Sequence, residues 1–318
     1  MTDAIVQIRN ALAAGELIPY LGAELLLPPQ PSPQSPPAYP TALQPGYESG
    51  RGDDRSFPRE RGKVGMGVGA AAVPLTPTEL AARLAARVTV PFKVRANMTA
   101  AAQYIENFKH RKTLVALLRE IFQGGISPSP AHVFFAAQPK LPLLVDTWYD
   151  DAAQAALAGR NDWGQIQGVS RAEHRDIWVK HYRADGSECS IDEVSGWKTL
   201  LYKPLGSIAP AANFIVSDSD FVEVLTEIDI QSPIPPRVQE LRSGKRFLFL
   251  GCRFRNQLER AYARQIMKRS SDGPHWAVLA GELSKNEEKF LAEQNIVRLD
   301  IAPDAFLQAL NVALPLAA

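Results

Sequence analysis

The stretch Phe247-Leu-Phe-Leu-Gly-Cys252 is an apolar run that ends at a glycine, and three other stretches have the same form. They read Leu17-Ile-Pro-Tyr-Leu-Gly-Ala-Glu24, Leu143-Leu-Val-Asp-Thr-Trp-Tyr-Asp150 and Tyr202-Lys-Pro-Leu-Gly-Ser207. Short apolar runs that alternate with helical patterns indicate buried parallel strands. In an open parallel α/β sheet, ligands bind in the crevice outside the carboxyl ends of the strands. We therefore expect the polar ends of the four runs to meet at one site.

The remaining pattern predicts an α/β fold: a Rossmann-like, doubly wound, mostly parallel sheet with helices on both faces and a small inserted subdomain. Two capping boxes, Thr76 to Glu79 and Ser284 to Glu287, mark helix starts. The predicted strands are 17–21, 141–145, 199–202, 214–216, 246–250, 276–280 and 296–299. Besides the helix that starts after Thr76, the predicted helices are 3–14, 99–122, 131–137, 219–228, 237–242, 257–269, 285–294 and 304–312.

We expect one domain, 1–318, with two additions. Residues 28–75 contain a run of prolines and then a run of glycines, and prolines prevent a regular helix or sheet. This part of the chain is predicted to be an inserted arm, irregular in structure. Residues 159–197 are polar and contain three tryptophans, which predicts a small insertion or subdomain beside the sheet.

Composition excludes several functional classes. The 35 basic and 34 acidic residues give a net charge of +1, so the chain lacks the basic footprint typical of nucleic-acid binding. Cys189 and Cys252 have no paired spacing and the five histidines are scattered, so no metal site is predicted. The start of the chain reads as an amphipathic helix, and no apolar run is long enough to cross a bilayer. We expect a cytoplasmic protein without a membrane partner.

The four ends resemble those of the sirtuin-like superfamily, in the prokaryotic branch related to NAD-consuming defence proteins. That family reads Gly-Ala-Gly-x-Ser, then Thr-Thr-Asn-Tyr-Asp, His-Gly-Ser and Leu-Gly-Tyr-Ser. The corresponding stretches here are Gly22-Ala23-Glu24-Leu25-Leu26, Asp146-Thr147-Trp148-Tyr149-Asp150, Leu205-Gly206-Ser207 and Leu250-Gly251-Cys252-Arg253. The resemblance implies NAD or ADP-ribose as the cofactor, with an empty crevice as the alternative. It implies cofactor contacts at Gly22, Ala23, Glu24, Thr147, Tyr149, Asp150, Gly206, Ser207, Gly251 and Cys252.

Three departures from the family pattern bear on its chemistry. Glu24 adds bulk and negative charge where a glycine would approach the dinucleotide phosphates. Trp148 replaces the asparagine that helps to position the nicotinamide ribose. Leu205 replaces the histidine that acts as general base, and a leucine takes up no proton. The resemblance therefore implies no catalytic residue at either position.

Simpler interpretations remain beside these. Trp148 would fill core space left by an unused pocket, and Glu24 would point to solvent. Asp146 and Asp150 would cap the following helix rather than form a catalytic pair. Tyr149 would be a structural residue.

Three hypotheses for the function follow. The first is a sirtuin-like protein with a degenerate NAD site, a non-catalytic nucleotide- or partner-binding regulatory protein. In it, the proline-rich arm would contact a protein partner, since polyproline segments lose little entropy on docking; an oligomer is also compatible with the sequence. The alternative is a divergent NAD glycohydrolase, which releases nicotinamide and ADP-ribose with a base such as Asp146, Asp150, Asp218 or a group in the arm. A protein deacylase is the third, and two lone cysteines cannot build its zinc module.

Overall fold

A computed structural model describes residues 2–26, 75–227 and 234–311. Nine strands form one sheet in the order β11-β10-β9-β1-β2-β6-β3-β4-β5, and β7 and β8 form a separate two-stranded sheet. The strands are β1 (Leu17–Leu21), β2 (Leu143–Asp146), β3 (Trp163–Gly168), β4 (Val179–Arg183), β5 (Glu188–Cys189), β6 (Thr199–Lys203), β7 (Gly206–Ser207), β8 (Asn213–Phe214), β9 (Arg246–Leu250), β10 (His275–Val278) and β11 (Ile296–Leu299).

All strand pairs from β11 to β3 are parallel, and only the pairs β3–β4 and β4–β5 of this sheet are antiparallel. Leu21, the last residue of β1, pairs with Asp146 of β2 and with Leu250 of β9. The carboxyl ends of β1, β2 and β9 therefore lie side by side. The predicted α/β fold with a mostly parallel sheet is confirmed.

Helices cover both faces of the sheet. They are α1 (Thr2–Ala14), α2 (Pro77–Arg87), α3 (Met98–Lys109), α4 (Arg111–Phe122), α5 (Pro130–Ala136), α6 (Ala152–Leu157), α7 (Asp218–Glu227), α8 (Pro236–Arg242), α9 (Gln257–Met267), α10 (Lys285–Glu293) and α11 (Pro303–Asn311). Alternate residues of β9 enter opposite cores, because side chains alternate along a strand. Phe247 and Phe249 pack with α7 to α10, and Leu248 and Leu250 pack with α1, α5, α6 and α11.

A third apolar cluster joins the helices α2, α3 and α4 to the segment that follows β2. It contains Leu84, Ile105 and Leu118 from the three helices, together with Trp148 and Tyr149. Both predicted capping boxes are present, at Thr76 with Glu79 and at Ser284 with Glu287. Thr76, at the start of α2, lines the same cavity as Gly22, the residue after β1.

Two predicted elements differ from the structure, and one strand was not predicted. The helix predicted at 99–122 is two helices, α3 and α4, because His110 has a positive φ of 70° that ends the first. The strand predicted at 214–216 is the two-residue β8, which pairs with β7 outside the main sheet. Within 159–197, where no strand was predicted, β3 lies inside the main sheet between β6 and β4.

The strand β3 escaped prediction because its buried side chains include amides. Gln165 and Gln167 are buried, hydrogen-bond to each other at 2.9 Å, and donate to backbone carbonyls of 207–211. Buried polar groups are tolerated when they are hydrogen-bonded in this way. The division into a single domain with an insertion at 159–197 stays a prediction, and the arm predicted at 28–75 lies outside the described residues except for Leu75.

In the described ranges, no helix has the length and apolar character needed to cross a membrane.

Candidate functional site

A cavity of about 600 Å³ opens at the carboxyl ends of β1 and β9. It is lined by the turns after these two strands and by the first residues of the helices α2, α3, α7 and α9. This volume lies in the range of about 300–1,000 Å³ that small-molecule sites usually have. We call this cavity the crevice.

The structure brings most of the sequence-predicted site residues to the crevice, although not all. Those that line it are Gly22, Ala23, Glu24, Thr147, Trp148, Leu205, Gly251 and Cys252. Those that do not line it are Tyr149, Asp150, Gly206 and Ser207. A cofactor contact at any of these positions stays a prediction.

Gly22 and Gly251 hold the turns after β1 and β9 against each other. A Cβ atom at Gly22 would lie 2.5 Å from the carbonyl oxygen of Gly251 and 2.8 Å from Sγ of Cys252. Gly251 has a positive φ of 64°, and a Cβ atom there would collide with the backbone of Leu25. The space that each glycine leaves is therefore filled by protein atoms of the opposite turn.

Three backbone donors of the β1 turn are also engaged within the protein. The N–H of Gly22 donates to the carbonyl of Leu250 at 2.9 Å, and the N–H of Glu24 donates to the carbonyl of Gly251 at 2.9 Å. The N–H of Leu25 donates back to Gly22 at 3.2 Å. A phosphate at this turn would have to compete with carbonyl groups for these three donors.

Glu24 adds charge at the same turn. Its Oε1 accepts a hydrogen bond from Arg255 at 3.1 Å, in an ion pair whose arginine side chain is 61% exposed. The glutamate side chain itself is partly buried, at 28% exposed. The interpretation that Glu24 points freely to solvent is therefore wrong, because its ion pair connects the β1 turn to Arg255, two residues before α9.

Trp148 and Leu205 line the crevice from its other side. The Trp148 ring is buried and packs edge-on against Phe122, with 6.0 Å between the ring centroids. Its contact with Tyr149 is tilted, with 5.0 Å between the centroids. Leu205 is partly buried between two of the apolar clusters. The structure thus places Trp148 in the core, in agreement with the interpretation that it fills space.

The positions after β2 that miss the crevice have internal partners. The hydroxyl of Tyr149 donates to the carbonyl of Ile215 at 2.8 Å, and burial raises the pKa of Tyr149. Asp146 accepts the N–H of Trp148 at 3.0 Å, and Asp150 accepts that of Ala152 at 3.0 Å. Asp146 thus closes a turn rather than capping a helix, whereas Asp150 accepts the first N–H of α6 from the position before its N-cap, Asp151. Neither aspartate lines the crevice.

Sequence reasoning missed the partner of these aspartates. Lys203 is completely buried, and its Nζ lies 2.8 Å from Oδ2 of Asp146 and 2.9 Å from the carbonyl oxygen of Asp150. Burial raises the pKa of Asp150 to about 6, against the opposing effect of the Lys203 charge. The same network includes the buried hydroxyl of Ser207, which donates to the carbonyl of Asp150 at 3.1 Å. The network fixes the end of β2 against the end of β6.

Glu259 is the second residue that sequence reasoning missed. It lines the crevice in the first turn of α9, where its carboxylate accepts the N–H of Asn256 at 3.3 Å. Burial raises the pKa of Glu259 to about 7, and the nearby charge of Glu24 raises it further, whereas Arg255 lowers it. The sequence did carry a signal for this side chain: Asn256 and Glu259 have the spacing of a capping box directly after the β9 turn.

Asp218 also lines the crevice, at the start of α7. Its Oδ1 accepts a hydrogen bond from the hydroxyl of Thr99 at 2.5 Å. Three aspartates and a group in the arm were candidates for the base. Asp218 lies at the crevice, whereas Asp146 and Asp150 do not. The arm lies outside the described residues apart from Leu75.

Residues 142–299 match the family model of the SIR2-like domain. This protein belongs to the sirtuin-like superfamily. The match covers about half of the chain and extends from the residue before β2 to the end of β11, so it includes Trp148, Leu205 and the β9 turn but not the β1 turn. A search of curated proteins found no significant match.

The sirtuin-like family generally binds NAD, and the resemblance places the NAD phosphates at the β1 turn. Protein atoms fill the space at Gly22 and Gly251, and the N–H groups of Gly22, Glu24 and Leu25 donate to carbonyls. Glu24 brings a carboxylate to the same place, where two unit charges 4 Å apart repel by about 1 kcal/mol even in water. The residues present do not fit the pyrophosphate of NAD. Among the described residues, no group of three or more His, Cys, Asp or Glu side chains is arranged to hold a metal ion.

Proposed function

We propose that this sirtuin-like protein is a non-catalytic, regulatory member of its superfamily, whose crevice binds a ligand or partner without cleaving NAD. The observation that carries the proposal is the position of Trp148 and Leu205, which both line the crevice. The resemblance assigns these two positions to the positioning asparagine and the general base. Neither an indole nor a leucine can take the proton, and loss of a positioned acid or base costs about 10²–10⁴-fold in rate.

The proposal includes a protein partner that contacts the proline-rich arm. The described chain stops at Leu26 and resumes at Leu75, and residues next to both points, Glu24 and Thr76, line the crevice. A partner bound close to either point would lie beside the crevice, and this would couple partner binding to the ligand. As part of the same proposal, the protein acts in the cytoplasm of a prokaryotic cell.

A divergent NAD glycohydrolase is the second candidate, and Glu259 is the observation that favours it. A carboxyl group in a cavity with a pKa of about 7 has the property expected of a general acid or base at neutral pH. Glu259 joins Asp218 as a candidate base in this hypothesis, since both line the crevice, whereas Asp146 and Asp150 do not.

Incubation of the purified protein with NAD separates the two candidates. The products are resolved by chromatography, and nicotinamide and ADP-ribose are measured for the wild type and for Glu259→Gln. We expect no nicotinamide above a protein-free blank from either protein. Release at an enzyme-like rate from the wild type would overturn the proposal, and its loss in Glu259→Gln would establish the hydrolase in its place.

A further inference from the structure

The walls of the crevice are aromatic on several sides. The buried rings of Tyr20, Trp148, Phe221, Phe254 and Tyr262 all line it. Aromatic and apolar walls with a few polar groups are typical of sites for small organic molecules, and the polar groups decide which molecule binds. The polar groups of this crevice are therefore the ones that determine its ligand.

The ionisable groups of the crevice are mostly acidic. Three carboxylates line it, from Glu24, Asp218 and Glu259. The cations that line it are Arg253 and Arg255. The Arg253 guanidinium is held by Glu287 at 3.0 Å and by the carbonyls of Ala280 and Glu282 at 3.3 and 2.9 Å.

The second cation is also engaged. Arg255 forms its ion pair with Glu24 at 3.1 Å and is 61% exposed. A phosphate that recruited Arg255 would leave the Glu24 carboxylate without its partner. Such an exchange gives little net gain, since an exposed ion pair contributes about 0–1 kcal/mol.

The four helix N-termini at the crevice do not add free positive charge that would attract a phosphate. Three of them already have carboxylates in the first turn: Glu79 in α2, Asp218 and Asp220 in α7, and Glu259 in α9. In α3, the side chain of Asn97 accepts the N–H of Ala100 at 3.1 Å. The positive ends of these helices are thus matched by acceptors of the chain itself.

The crevice retains acceptors that a ligand could use. Within the described ranges, Oε2 of Glu24 and Oδ2 of Asp218 accept no hydrogen bond from the protein. Each carboxylate oxygen can accept from a hydroxyl, amide or cationic donor. An acceptor-rich, aromatic cavity matches a ligand that donates hydrogen bonds and carries no negative charge.

We infer that the crevice binds a phosphate-free aromatic ligand of nucleoside size, neutral or cationic, whose hydroxyl or amide groups donate to Glu24 and Asp218, and that it discriminates against the phosphorylated form of the same ligand. This inference rests on the proposed non-cleaving function and names its ligand class. It departs from the dinucleotide that the superfamily generally binds, because the residues present do not fit a pyrophosphate.

Two matched ligand pairs test the inference by isothermal titration calorimetry with the full chain at pH 7.5. The pairs are nicotinamide riboside with nicotinamide mononucleotide, and adenosine with AMP; within each pair, only one phosphate differs. We expect the riboside of at least one pair to bind about tenfold or more tightly than its phosphate, which corresponds to about 1.4 kcal/mol. NAD and ADP-ribose are measured in parallel.

Charge variants identify the source of the preference. Glu24→Gln should reduce the ratio of the two affinities about threefold or more, since it removes one negative charge at the crevice. Glu16→Gln removes the same charge from an exposed residue before β1, at the opposite edge of the sheet, and should leave the ratio unchanged. The separation of roughly 20 Å exceeds the Debye length at physiological salt.

Three results would overturn the inference. They are equal or tighter binding of the phosphorylated ligand, a ratio that Glu24→Gln leaves unaltered, and no detectable binding of any of these probes. None of the three requires release of nicotinamide from NAD, which is the result that would overturn the proposed function. The failures of the two proposals are therefore distinguishable.

Discussion

Gly22 shows at the scale of one residue how the β1 turn is closed. The Cβ atom of any other residue would lie 2.5 Å from the carbonyl oxygen of Gly251, a backbone atom that cannot rotate away. The usual reason for a glycine in such a turn is close approach of a ligand, and in this structure the approaching group is protein. The glycine therefore allows the two turns to pack against each other.

Gly22→Ala should lower the free energy of unfolding by about 1–3 kcal/mol, the usual cost of forcing an extra methyl group into a packed site. Urea denaturation measures this change. Gly196→Ala is the matched control, because no heavy atom lies within 4 Å of the added Cβ and φ there is not positive. Equal stability of Gly22→Ala and the wild type would show that the turns do not interlock.

Lys203 and Asp146 also matter at the residue scale. Neither side chain is more than a few per cent exposed, and removal of one partner of a buried ion pair costs about 3–5 kcal/mol because the other charge stays buried. The pair therefore fixes the geometry at the ends of β2 and β6. It takes no part in the crevice, although it belongs to the stretches that first suggested the site.

At the scale of an element, α9 and α10 begin with the same capping box in different surroundings. Asn256 and Glu259 start α9, and Ser284 and Glu287 start α10. Burial at the crevice raises the pKa of Glu259 to about 7, whereas hydrogen bonds from Ser284 and the charge of Arg253 lower the pKa of Glu287 despite its burial. The same capping motif therefore contains one glutamate whose pKa is raised and one whose pKa is lowered, and the two should change the stability of the protein with pH in opposite directions.

Glu259→Gln should stabilise the protein at pH 8 and leave it unchanged at pH 4. The folded chain holds the proton of Glu259 up to about pH 7, while the unfolded chain loses it near the ordinary pKa of 4.5. The wild type therefore loses stability as the pH rises from about 4.5 to about 7, by up to about 3 kcal/mol. A glutamine keeps the capping geometry and removes this penalty.

Glu287→Gln is the control, and its expected change in stability at pH 8 has the opposite sign. The lowered pKa of Glu287 contributes stability that is present above the ordinary pKa and is lost as the pH falls below it. This variant should therefore be less stable than the wild type at pH 8. Denaturation curves at pH 4, 6 and 8 measure the stability of both variants. A loss of stability at pH 8 in Glu259→Gln would contradict the raised pKa of Glu259.

At the scale of the whole molecule, the sequence predicted what local patterns determine. The parallel strands β1, β2, β6, β9, β10 and β11 are short and mainly apolar, and two capping boxes locate helix starts to the residue. The β3 strand was missed because it contains Gln165 and Gln167, which local sequence patterns assign to the surface. Their burial depends on hydrogen bonds to a loop that is distant in sequence. Glu259 was missed because its altered pKa arises from burial that only the folded crevice creates.

The candidate site was predictable in position and less so in chemistry. Parallel strands bring their carboxyl ends to one edge whatever residues follow them, so the crevice could be placed from the runs alone. Which residues after each strand enter it depends on the path of the chain. Trp148 lines the crevice and Tyr149 turns away from it to bond with Ile215, although the two are neighbours in sequence.

A last prediction concerns whether two substituted side chains would be enough for this protein to cleave NAD. The variant Trp148→Asn with Leu205→His returns the asparagine and histidine of the family pattern. It leaves the interlocked turns, the engaged N–H groups and the carboxylate of Glu24 in place. We therefore expect no release of nicotinamide from NAD, because the histidine would face a crevice that does not accept the pyrophosphate.

The buried Trp148 ring makes the double variant less stable, by about 3–5 kcal/mol if its loss resembles other large-to-small core changes. Circular dichroism must therefore show that the variant is folded at the assay temperature, and Leu205→His alone, which keeps the tryptophan, is assayed beside it. Nicotinamide release by either folded variant would show that closure at Gly22 and Gly251 does not exclude NAD. Absence of release from both folded variants would support the proposal that the β1 and β9 turns, as well as the side chains at positions 148 and 205, prevent NAD cleavage.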